Sequence, residues 1–353
     1  NNTAVGDEAL RENTTGELNV AVGALALDAN TTASANTAVG YNAGTANTTG
    51  HSLCSVGTYA LQSNTTGDQN TAVGRSALQN NTTAGDNSAF GKDALKVNTT
   101  GVQNVAIGSG CLDANTTAGD NVGVGYHSLG NNTTGASNTA VGHFALNANT
   151  TGTQNTAVGR LALDAATTAG NNTSIGFSNM GSNTTGSNNV SVGTFCMDQG
   201  SGMNYNVALG HDTARHVTTG GNNIFIGHAA GHSNSPSGQI TTQGNVVVLG
   251  NNSTSNLYCN DTSISSSDKR DKTDIADFTH GLNWINQLKP VTYRWDKRTW
   301  YDNNTPDGSK KHNKKHIGFL AQDVLAIEGN PSDKDNMLVV NLNEDDTAYG
   351  LKY

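Results

Sequence analysis

The sequence predicts a mainly β protein, a β-solenoid or β-roll shaft of seventeen-residue repeats followed by a small α+β domain. The first observation behind this is a glycine at every seventeenth position: Gly6, Gly23, Gly40, Gly57, Gly74, Gly91, Gly108, Gly125, Gly142, Gly159, Gly176, Gly193, Gly210 and Gly227, fourteen copies in one register. A period in this range means that one unit is stacked on itself rather than folded into a globule. The second is composition, since 5% aromatic residues and 42 Gly do not suit two compact cores. The third is a shift along the chain: residues 1–267 carry 6 Lys+Arg against 14 Asp+Glu, whereas residues 268–353 carry 13 against 14 and hold Trp284, Trp295 and Trp300.

Aligned on its glycine, the unit reads N-T-A-V-G-x-x-A-L-x-x-N-T-T-G-x-x. A Val, Ile, Leu or Phe precedes each glycine (Val5, Val22, Phe90, Ile107, Val141, Leu209, Ile226) and is read as an inward side chain of a short strand. Three residues after the glycine stands a small residue, Ala9, Ala60, Ala77 or Ala145, and twice Cys, so Cys111 and Cys196 read as small buried hydrophobes. Leu or Met follows one residue later in eleven copies and is the second large inward position. An Asn opens each strand (Asn19, Asn36, Asn70, Asn104, Asn138, Asn172, Asn206) and is expected to stack on its copies in an amide ladder along the axis. Asn-Thr-Thr-Gly reads as turn chemistry, with Asn and Gly accepting left-handed backbone and Thr forming a column at a corner.

So little apolar burial per turn cannot offset the entropy of ordering seventeen residues, and a core shared by three chains answers this better than the thin interior of one coil. The unit resembles the left-handed β-roll repeats of trimeric autotransporter adhesin heads, with a longer period here; that resemblance covers about residues 1–250 and implies a homotrimer, with a single-chain solenoid as the alternative. The rhythm decays toward the end, where Gly227 to Gly250 is a step of 23, with the extra residues around 234–243. The boundaries expected are 1–250 for the shaft, 251–266 for an Asn/Ser/Thr-rich exit segment and 267–353 for the second domain.

Ser267-Asp268-Lys269-Arg270-Asp271-Lys272 sets a hydroxyl five residues before an amine, and by itself reads as a solvated charged linker. Downstream stand Leu288-Lys289-Pro290-Val291-Thr292-Tyr293-Arg294-Trp295 and His316-Ile317-Gly318-Phe319-Leu320-Ala321-Gln322-Asp323-Val324. Together these blocks resemble the endosialidase-type intramolecular chaperone domain at the C-terminus of phage tail fibres and tailspikes. The resemblance implies a domain that trimerises, templates folding of the preceding fibre and then cuts itself off with a Ser-Lys dyad. Ser267 would be the nucleophile, Lys272 the general base and Ser266-Ser267 the scissile bond. A lysine serves as a base only where desolvation or nearby cations lower its pKa; Lys269 and Arg270 favour that and Asp268 and Asp271 oppose it. In relatives a long C-terminal helix follows, whereas this sequence ends at Tyr349-Gly350-Leu351-Lys352-Tyr353.

The acidic repeat region has no footprint for nucleic acid or anionic lipid, and no apolar run is long enough to span a bilayer, so neither partner is expected. The chain opens Asn1-Asn2-Thr3, without initiator Met or signal peptide, and is read as a piece of a longer protein. No cofactor and no metal site is expected; His51, His127, His143, His211, His216, His228 and His232 read as surface residues. Tyr41, Tyr59, Tyr126, Phe144, Phe177 and Phe195 follow the repeat glycines closely and are candidates for carbohydrate stacking or lateral contact. The function expected is an extracellular phage tail fibre that recognises a host-surface receptor, released from its chaperone by one self-cleavage. The alternatives are a self-processing bacterial surface adhesin and an ice-binding solenoid.

Overall fold

The computed structural model describes residues 1–255, 284, 286–294, 296, 305–311, 313 and 315–327, and the strand backbones of 340–342 and 349–351. Residues 1–250 hold fifteen three-residue strands, β1 (Thr3–Val5) to β15 (Val247–Leu249), in a single parallel sheet whose strand order is the sequence order. Register is strict, with Thr3 opposite Val20, Ala4 opposite Ala21 and Val5 opposite Val22. Every residue therefore lies against its own copy, and the repeat in sequence becomes a set of columns in space. Thirteen steps are seventeen residues long and the last, from Ile224 to Val247, is twenty-three. The mainly β solenoid read from the glycine period is the fold observed.

The glycine period has two physical causes, both visible at Gly142. Its φ is +141°, in the region that favours glycine, and a Cβ there would stand 2.4 Å from the carbonyl oxygen of Gly159 in the next turn. Neighbouring backbones pass too closely at this corner for any side chain. The other left-handed residues of that turn are not glycines: Ser137, Phe144 and Leu146 have φ of 60°, 55° and 50°. Each costs about 1–2 kcal/mol, and the cost is met by bonds between turns, such as the Leu146 N–H to Ala162 O at 2.9 Å. The turn chemistry expected at Asn-Thr-Thr-Gly is thus corrected, because the left-handed positions lie elsewhere and its Asn is an interior residue.

The interior of a regular turn is narrow. In the turn around Gly142, Ala140, Ala145, Leu146 and Asn149 are completely buried. Val141 is 36% exposed and Leu146 0%, so the residue before each glycine faces outward, contrary to the inward reading. Val5, Val22, Phe90, Ile107, Leu209 and Ile226 do the same. Strand alternation explains it: the central Ala turns inward, and its two neighbours must then turn outward. One large apolar side chain per turn fills the core, not two. Cys111 and Cys196 do sit in the buried Ala column, where burial pushes their thiols up to about 12.

Two files of asparagine run beside this core. Asn138 donates its N–H to Asn121 Oδ1 at 3.0 Å and its Nδ2 to Gly152 O at 2.9 Å, which is the ladder expected from the strand-opening Asn. The second file comes from Asn-Thr-Thr-Gly: Asn149 Nδ2 donates to Asn132 Oδ1 at 2.7 Å and to Gly152 O at 3.0 Å. Buried amides are tolerated because they find partners in their own turn or one turn away, with Asn149 Oδ1 and Asn179 Oδ1 the exceptions. A Thr column runs alongside, with Thr133 Oγ1 donating to Thr150 O at 2.9 Å.

Near the end of the shaft the columns change residue but keep volume. Phe225 takes the central strand position in place of Ala, and Gly231 takes the position of Leu; a Cβ on Gly231 would lie 2.7 Å from the Phe225 ring. The inserted segment folds back, with Ile240 buried and its N–H bonded to Gly231 O at 2.9 Å. The chain divides into two compact units, Asn1–Tyr258 and Cys259–Tyr353. In the second, β16 (Val291–Tyr293) pairs antiparallel with β17 (His316–Gly318), α1 spans Ala321–Ile327, and β18 (Val340–Leu342) pairs antiparallel with β19 (Tyr349–Leu351).

Candidate functional site

The outward face of the shaft sheet is the first candidate. Each strand presents its first and third residues there, Thr139 and Val141 for example, and no strand of the fifteen contains a charged residue. The third position is Val, Ile, Leu or Phe in every strand. Fifteen strands at about 4.8 Å spacing make this file roughly 67 Å long. Exposed apolar surface of such continuity marks an interaction face rather than ordinary solvent surface.

Beside it runs a corner ridge built from the residues after each glycine. Tyr41 and Tyr59 meet edge-on at 5.6 Å, and Tyr126 stacks on His143 at 5.4 Å and meets Phe144 edge-on at 5.5 Å. Phe177 meets Phe195 edge-on at 5.2 Å, with the Arg160 guanidinium over Phe177 at 5.4 Å and that of Arg215 over Phe195 at 4.9 Å. In-register stacking thus gathers the aromatic candidates into clusters that spend much of their ring surface on one another. The histidines are less scattered than their spacing suggested. His211 stacks on His228 at 5.5 Å, and His216 Nε2 lies 2.9 Å from His232 Nε2. Burial, His232 and Arg215 together lower the His216 pKa.

In the second unit the two downstream sequence blocks are brought together. Val291 lies opposite Gly318, Thr292 opposite Ile317 and Tyr293 opposite His316, with the Tyr293 and His316 rings stacked at 5.6 Å. Ala321 then opens α1, which buries Val324 and Leu325 and leaves Ile317, Phe319 and Leu320 of the preceding segment exposed. Gln287, Lys289, Asp323, Ala326 and Ile327 line one cleft. Ser266, Ser267 and Lys272 lie outside the described residues.

Residues 267–332 match the model of a family described as chaperone of endosialidase. The chain is therefore a parallel β-solenoid of seventeen-residue turns followed by a segment similar to that family, and the matched stretch contains both paired sequence blocks and the positions of Ser267 and Lys272. No curated protein and no solved structure matches the chain. No helix among the described residues is long and apolar enough to cross a membrane.

Proposed function

We propose that the chain is part of a phage tail fibre: a homotrimeric shaft that recognises a host-surface receptor, folded on a C-terminal intramolecular chaperone that then releases itself. The observation that carries this reading is the chaperone-of-endosialidase segment placed directly after a repetitive β-solenoid. The uncharged, apolar outer face of the shaft sheet supports the trimer, because three such faces meeting at a common axis would bury the file that a single chain leaves in water. The organisation proposed is shaft 1–250, exit segment 251–266 and chaperone 267–353, in an extracellular particle.

In the proposed release step, Ser267 Oγ attacks the carbonyl carbon of Ser266. Lys272 takes the hydroxyl proton and delivers it to the departing backbone nitrogen, so that the C–N bond breaks as the C–O bond forms. Water then hydrolyses the ester, leaving a carboxylate on Ser266 and restoring the Ser267 hydroxyl. The test is intact mass of the complete protein. Wild type should give a shaft ending at Ser266 and a fragment beginning at Ser267, whereas Ser267→Ala stays full length and Lys272→Ala is uncut or cut far more slowly, because an unassisted serine is a poor nucleophile. Processing of both variants at the wild-type rate would overturn the dyad. The Thr columns do not favour ice binding, since the first Thr of each pair commits its hydroxyl to a neighbouring carbonyl, as at Thr116 to Thr133 O, 3.1 Å.

A further inference from the structure

The glycine register places a histidine immediately after Gly210 and again immediately after Gly227. Parallel stacking turns that coincidence of sequence into contact: the two rings lie nearly parallel, 23° apart, with centroids at 5.5 Å. Asp212 follows His211 in the left-handed conformation, φ 54°, and its Oδ2 lies 3.3 Å from His211 Nδ1. Its other oxygen is held by Arg215 at 3.0 Å, which fixes the carboxylate. One ligand atom from each of His211, Asp212 and His228 lies within 4.8 Å of the other two. Asn251, next in the same column after Gly250, donates its Nδ2 to His228 Nδ1 at 3.2 Å, a bond that a metal ion at Nδ1 would replace, while a metal ion at Nε2 would displace that nitrogen's proton.

We propose that His211, Asp212 and His228 form a binding site for a divalent transition-metal ion of the zinc or nickel class. Two imidazoles and a carboxylate are the donor set such ions take, with water completing the shell. Ligand bonds of about 2.1 Å require the three donor atoms to close to about 3.4 Å of one another. His211 and His228 are exposed and Asp212 is half-buried, so side-chain torsions supply that closure without moving the interior. The neighbouring Arg215 charge works against the cation, which makes the site a modest binder rather than a permanent one.

Position gives the site its purpose. The second asparagine file ends just here: the column that holds Asn149 and Asn183 is occupied by Gly200 and then Val217. The following step is also the one of twenty-three residues. A metal ion shared by His211 and His228 would cross-link two successive turns that the second asparagine file no longer joins, alongside the strand-opening ladder, which continues there with Asn223 N–H to Asn206 Oδ1 at 3.1 Å.

The test uses tag-free full-length protein titrated with zinc chloride, and separately nickel chloride, by calorimetry, with thermal unfolding followed in parallel. The expected result is one saturable ion per chain, a rise in Tm that EDTA reverses, and at least tenfold weaker binding in His228→Ala and in Asp212→Asn. Both variants should keep the wild-type circular dichroism, since neither side chain is in the core. The His216→Ala/His232→Ala double variant, which removes the other histidine pair, should bind like wild type. Absence of saturable binding, undiminished binding in His228→Ala and Asp212→Asn, or loss confined to the His216/His232 variant would each overturn the proposal.

Discussion

Single buried atoms show how tightly the turns are matched. Asn149 Oδ1 is buried with no hydrogen-bond partner, and the cause lies seventeen residues on, where Ala166 stands in the position that would donate an amide. Ala166→Asn should restore that bond and stabilise the shaft by about 1 kcal/mol, a rise in Tm of about 2–4 °C for a domain of this size, measured by calorimetry. Asp164 makes a second, pH-dependent case. Burial foremost, with a smaller contribution from Asp198, raises its pKa, so the native state holds the proton more tightly than the unfolded chain does. The stability it lends is present below the ordinary carboxylate pKa and is lost as pH rises through the elevated native value. Asp164→Asn, which places the residue found one turn earlier at Asn147, should therefore raise Tm at neutral pH. The gain should shrink as pH falls toward about 4; a gain equal at both pH values would show that ionisation is not its source.

For strand and corner, the sequence makes some features plain and hides others. The glycine column was readable because it has one cause, backbone passing backbone, and Gly142→Ala should abolish soluble shaft since the Gly159 carbonyl cannot withdraw. The strand-opening asparagine ladder was readable because a buried amide repeated in register has only its own copies as partners. Val141 was misread as inward because hydrophobicity was equated with the interior; in a three-residue strand Ala140 turns inward and Val141 must turn outward. The Asn of Asn-Thr-Thr-Gly was misread because its composition is that of an exposed turn, and nothing in one repeat shows that its amide points in. The pairing of His211 with His228 was implicit in their seventeen-residue separation, but only the register makes it a contact. The corrected assignment separates two substitutions that hydrophobicity alone would equate. Leu146→Asp buries a charge and should eliminate folded protein, whereas Val141→Asp should retain the β-rich circular dichroism spectrum and lose self-association. Equal loss of β structure in both would contradict it.

At the scale of the whole molecule, the thin interior and the apolar outer file belong to one economy. Each regular turn buries a single Leu or Met beside Ala and paired amides, and leaves a Val, Ile, Leu or Phe in water. The downstream match to the chaperone-of-endosialidase family supports the proposed assembly as the step that covers that file, and the proposed cut at Ser266-Ser267 would make the assembled shaft kinetically permanent by removing the proposed folding template. The central claim is the three-chain shaft, and the most direct measurement is solution mass by light scattering on the full-length Ser267→Ala protein, which keeps shaft and chaperone together. The account predicts three times the chain mass, independent of concentration. A stable single-chain mass for the Ser267→Ala protein with its apolar file intact would contradict it.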